Sequence, residues 1–217
     1  MEWFQARPPG EPSEQPKLPP PWVGPGEQEL GELLPIRLLL ARSDRTAVAV
    51  TELVAYRNGF EIAVSLRLRS ADLPPGKSGI IPGMPGFVPG IPGFVHRSPE
   101  SDEPIPPDVF RFGVQFSDGR RGMTFGEPIG GQFRGKPDEE PKGPILIARL
   151  FGGGGRRADF RYWVWPLPPE GSLTLACEWP AQGIPVSTKD LDSAPILEAS
   201  ARSELLWEED VDSVDSG

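Results

Sequence analysis

The chain has 217 residues, of which 26 Gly and 29 Pro make up about a quarter, a share that implies long loops and tails around an ordinary core. Its net charge is −9, but residues 204–217 carry net −6 and residues 1–32 net −4, leaving +1 on residues 33–203. A near-neutral folded part offers neither a basic nucleic-acid face nor a polybasic membrane patch, and no stretch approaches the ~20 apolar residues that span a bilayer.

Residues 1–30 are rich in Pro, Glu and Gly and are expected to be a disordered tail, with Pro19–Trp22 polyproline-like or disordered. Such a tail is usually a spacer, and less often a ligand for an aromatic groove. The single cysteine, Cys177, excludes an intrachain disulfide. The N-terminus lacks the basic start and apolar run of a secretory signal, so a reducing, cytoplasmic setting is expected.

Order is expected over 31–207 as a single domain. Leu38–Leu40 suggest a first strand and Arg42–Arg45 a turn. Residues 46–57 and 60–70 are two β-favouring runs joined by Asn58-Gly59, the preferred dipeptide of a tight type I′ hairpin. That turn sets Arg57 opposite Phe60, Ala55 opposite Ile62 and Leu53 opposite Val64. Ala47, Ala49, Thr51, Leu53 and Ala55 then face the core, with Val48, Val50, Val54 and Tyr56 on the other side. In the second strand Phe60, Ile62, Val64, Leu66 and Leu68 alternate with Glu61, Ala63, Ser65, Arg67 and Arg69, so one face is buried and one wet.

A Pro/Gly-rich insertion interrupts the pattern at about 71–108. It holds a tandem repeat, Pro82–Val88 and Pro89–Val95, that differs at one position in seven. Two copies are too few for a solenoid, and Gly is not at every third residue as in collagen. Strands resume at Val109–Ser117, turn at Asp118-Gly119 and return through Gly122–Phe125. Ile145–Phe151, Asp159–Trp165 and Ser172–Trp179 read as three more. Ser193-Ala194-Pro195 resembles a helix start, and 196–206 reads as a short helix. The sum is an all-β, antiparallel two-sheet sandwich, immunoglobulin-like or jelly-roll-like, with one short C-terminal helix. Residues 208–217 form an acidic disordered tail.

The chemistry-bearing motifs are sparse. Gly152–Gly155 followed by Arg156-Arg157 lacks the Lys-Ser/Thr end of a phosphate loop and joins two strands instead of opening a helix. His96 is the sole histidine and lies in the insertion, so neither a catalytic triad nor a histidine-rich metal site is indicated. No cofactor is expected.

If Asp159–Trp165 and Ser172–Trp179 pair as a hairpin, Phe160, Tyr162 and Val164 share the core face with Leu173, Leu175, Cys177 and Trp179. The opposite face then carries Asp159, Arg161, Trp163 and Trp165 beside Glu178. Exposed tryptophans flanked by charge suit a protein hot spot or a sugar ring, so the expected partner is a protein or a glycan. Alternatively, the terminal helix or Trp207 covers them. Asp159 and Glu178 would be directly cross-strand, about 5 Å apart at Cβ, a spacing open to a retaining carboxylate pair. The sequence therefore supports a non-catalytic binding module first. A small hydrolase or carbohydrate-active domain using Asp159 and Glu178, or a structural component of a larger assembly, comes second.

Overall fold

The computed structural model describes residues 20–69, 107–124, 140–154 and 156–207. The Pro-Gly repeat, His96 and the acidic residues 208–217 lie outside them. The strands are β1 (Glu29–Leu30), β2 (Glu32–Arg42), β3 (Thr46–Ala55), β4 (Phe60–Leu68), β5 (Arg111–Gln115), β6 (Arg121–Met123), β7 (Ile145–Gly154), β8 (Arg157–Trp165), β9 (Ser172–Trp179), β10 (Ile184–Asp192) and β11 (Glu204–Leu205). One α-helix, α1 (Ala194–Ser200), stands between the last two.

The strands form an all-β sandwich. A five-stranded sheet, ordered β2-β3-β4-β8-β7, packs on a four-stranded one, ordered β10-β9-β5-β6, and every pairing is antiparallel. A two-stranded ribbon of β1 and β11 ties the two ends of the described chain together. Contacts of β10 with β2, and of β6 with β7, close the sandwich at both lateral edges. Between the sheets lies an aromatic seam. Phe112 stacks on Tyr162 with ring centroids 5.3 Å apart, and Phe110 meets Trp179 edge-on at 5.4 Å.

Period-two alternation places the core side chains of β4, β5, β8 and β9 as the sequence predicts. The β3–β4 hairpin differs. Its closing pair is Tyr56 and Gly59, whose N–H to carbonyl bond is 2.9 Å, so the two-residue loop is Arg57-Asn58. Ala55 then opposes Phe60, and Leu53 opposes Ile62. A bulge at Thr51 inserts one extra residue, after which Val50 opposes Val64 and Val48 opposes Leu66. The bulge exchanges the faces of the upper strand. Val48 and Val50 are buried, whereas Ala47 and Ala49 are half-buried and Thr51 is exposed. Burying branched side chains in place of alanines removes more apolar surface from water, which favours the bulged register.

The hairpin between β8 and β9 does not form. β8 pairs with β4 and β7, while β9 pairs with β5 and β10 in the other sheet. The connection 166–171 carries Pro166, Pro168 and Pro169, which cannot donate ladder hydrogen bonds. It arches from one sheet to the other with Leu167 packed against the core. Ser193 fixes the arch: its Oγ donates to the Pro169 carbonyl at 2.8 Å and its N–H to that of Gly171 at 2.9 Å. Ser193 therefore does not cap the helix with its side chain. α1 ends at Ser200, shorter than the 196–206 expected, because Glu204–Leu205 joins β1. β10 has no apolar alternation, being an edge strand exposed along most of its length, and the sequence does not announce it.

Candidate binding face

β8 presents Asp159, Arg161, Trp163 and Trp165 on the outer face of the five-stranded sheet, as its alternation dictates. Glu178 does not join them. It points out of the opposite sheet, where Arg111 Nη1 donates to its Oε1 at 2.6 Å. Sheets in a sandwich lie about 10 Å apart, and these two carboxylates project away from each other. They are not cross-strand neighbours, and the pair expected for glycoside hydrolysis is not assembled.

The outer face has a charged half and an aromatic half. In the charged half, Asp159 accepts from Ser65 Oγ, from Arg157 Nε and from Arg67 Nη1, the last at 3.1 Å. Burial pushes the Asp159 carboxyl up, but these donors together outweigh it and hold it below its ordinary range. Arg161 bridges Glu52 and the buried Glu61, reaching Glu61 at 3.2 Å. Burial favours loss of the Arg161 proton, and the two carboxylates more than reverse that. Asp159, Glu52 and Glu61 are each held by an arginine, so these ion pairs are built as a structural network.

The aromatic half is covered, though not by the terminal helix or Trp207. Ile196 and Ala199 of α1 pack into the core, and Trp207 is 60 % exposed. The cover is residues 20–26, upstream of the expected domain start. They form a turn closed by the Val23 N–H on the Pro20 carbonyl at 3.0 Å, and are not polyproline-like there. Asn58 Nδ2 donates to the Pro21 carbonyl at 2.7 Å and reaches that of Gly24 at 3.4 Å. Trp163 Nε1 donates to the Trp22 carbonyl at 3.0 Å. Trp22 meets Trp165 edge-on with centroids 6.2 Å apart, and Tyr56 meets Trp163 at 5.7 Å. Trp163 has no exposed surface, while Trp165 is half-buried.

Glycines make this fit. A Cβ on Gly59 would sit 2.5 Å from the Val164 carbonyl oxygen and 2.6 Å from the Trp163 ring, and one on Gly31 would strike Val54 and Tyr56. The strap is anchored downstream as well. Glu29 Oε1 accepts from the Arg57 N–H at 2.6 Å and from Ser203 Oγ at 2.7 Å. The sequence signal for the strap was Trp22 directly after Pro19-Pro20-Pro21.

Cys177 is buried between the sheets. Burial, with Glu178 adding a smaller push, raises its thiol to about 12. Among the described residues no helix is long and apolar enough to cross a membrane.

Fold and site together define the chain as an all-β sandwich protein with a strapped aromatic face. Comparison with protein-family models, curated proteins and solved structures finds no match for it.

Proposed function

We propose that this protein is a non-catalytic interaction module whose recognition face is the aromatic half of the five-stranded sheet, and whose ligand is a Pro-Trp turn segment. One observation carries the reading. Asn58 and Trp163 donate to the carbonyls of Pro21, Trp22 and Gly24, between the rings of Tyr56, Trp163 and Trp165. Prolines preset the turn and lower its ordering entropy, while the carbonyls and the indole supply polar and apolar anchors. The chain's own strap fills the face at high effective concentration, so a partner's segment of the same kind must displace it. A glycan is the weaker partner, since Trp163 has no open ring face for a sugar. The reducing cytoplasm is the proposed location, on the ground of the single unpaired Cys177.

The test is calorimetric titration of a peptide with the sequence of residues 16–26 into the full chain. Binding should be saturable to the Trp22→Ala variant, weaker to the wild type, and lost in Trp22→Ala/Trp165→Ala. No binding to a folded Trp22→Ala variant rejects the reading.

A further inference from the structure

Three stretches far apart in sequence converge at the end of the five-stranded sheet opposite the strap. The β2–β3 turn brings Arg42 and Arg45, the end of β4 brings Arg67 and Arg69, and the start of β8 brings Arg156 and Arg157. Register places Arg67 between Ala47 and Arg157. Beyond it, the Arg69 N–H donates to the Arg45 carbonyl at 2.7 Å, and Arg156 Nη1 donates to the Arg69 carbonyl at 3.1 Å. The turn itself is locked, with Ser43 Oγ accepting from the N–H groups of Arg45 at 3.3 Å and Thr46 at 3.2 Å. An open cleft of about 420 Å³ lies here, walled by Arg42, Ser43, Asp44, Arg45, Arg67 and Arg69 among others.

Among the described residues the charges of this cleft are not balanced from within. Among the described residues, Arg42, Arg45 and Arg69 have no carboxylate partner, whereas Arg111, Arg120, Arg161 and Arg202 each have at least one. Among the described residues Asp44 is the one acid on the wall, and Asp159, which bonds the lining Arg67, is shared between Arg67 and Arg157. Backbone hydrogen bonds hold these positions side by side, so the like charges cannot move apart at their Cα atoms. Such a cluster gains most from an anion of high charge density that takes several guanidinium forks at once. A lone carboxylate is satisfied by far less, as Arg111 with Glu178 shows. The open space exceeds a single ion in volume.

We propose that this cleft binds a small di- or polyphosphate, with Arg42, Arg45 and Arg69 as its ligands. The site is independent of the strap. The chain's own residues 208–217 carry five acids, which makes them the competing occupant that the test must exclude.

The experiment is calorimetric titration of pyrophosphate into the full chain at physiological ionic strength, with citrate as the carboxylate comparator. Saturable one-to-one binding is expected. Arg45→Ala/Arg69→Ala should weaken it at least tenfold, Arg45→Lys/Arg69→Lys several-fold, and Arg37→Ala, a distant arginine on β2, not at all. The Arg45 and Arg69 side chains make no hydrogen bond among the described residues, so their variants should keep the wild-type circular dichroism melt. If the alanine variant fails to fold, the lysine variant carries the test. The proposal is overturned by absent saturation, by equal loss in Arg37→Ala, or by citrate matching pyrophosphate. It is also overturned if binding appears only when the five acids of 208–217 are converted to amides, which would make the tail the occupant.

Discussion

Gly59→Ala isolates the close approach on which the strapped face depends. The added methyl would lie 2.5 Å from the Val164 carbonyl oxygen and 2.6 and 2.7 Å from two carbons of the Trp163 ring. The carbonyl belongs to the backbone of β8 and cannot rotate away, so the hairpin or the strand must shift. Over-packing of this kind costs about 1–3 kcal/mol, and the backbone contact places Gly59→Ala near the upper end, about 3 kcal/mol. For a chain of this size that is a Tm drop of roughly 6–12 °C by thermal circular dichroism. Two glycines calibrate the result. Gly143 has nothing within 4 Å, and Gly143→Ala should melt within about 1 kcal/mol of the wild type, on the stabilising side. Gly119 is equally open but has φ +87°, so Gly119→Ala should cost about 1–2 kcal/mol from backbone strain alone. Gly59 is not among the glycines with positive φ, so strain of that kind does not contribute there. A Gly59→Ala melt within about 2 °C of the wild type would refute the packing argument.

The bulge at Thr51 predicts an asymmetry between neighbours: Val50→Ala should cost about 2–3 kcal/mol in urea unfolding, whereas Ala49→Ser should stay within about 0.5 kcal/mol. The reverse order would restore the unbulged register. Asp159→Asn should lose about 1 kcal/mol at neutral pH, a figure discounted for the partial exposure of the Asp159 ion pairs. Because the folded carboxyl titrates below the unfolded value of about 3.9, its contribution is present above that pH and fades as pH falls through the folded value. The stabilities of wild type and Asp159→Asn should therefore converge in acid, and a gap independent of pH would count against the network. Cys177, buried with its thiol raised to about 12, should resist a thiol reagent at pH 8 until denaturant is added.

Much of the fold was legible because period-two alternation reports one buried face per strand. It identified β4, β5, β8 and β9 and assigned Phe160, Tyr162 and Val164 to the core. It failed where the signal is not local. The Asn58-Gly59 dipeptide suggested a turn one residue further on, because its glycine is needed for the Trp163 ring and not for a positive φ. β10 was silent since an edge strand with both faces largely wet has no apolar rhythm. Of the site, Asp159, Arg161, Trp163 and Trp165 were correctly grouped, and Glu178 was misplaced by an assumed hairpin.

Sequence by itself determined the class of fold, the inward side chains of four strands and the grouping of residues along β8, since each follows from the geometry of a single strand. Tertiary structure alone decided that β8 and β9 lie in opposite sheets, that Trp22 covers Trp163, and that Arg42, Arg45, Arg69 and Arg156 meet at one end. Those are pairings between segments distant in the chain. They are chosen by which arrangement buries the most apolar surface and satisfies the most backbone groups together, a sum no local stretch contains.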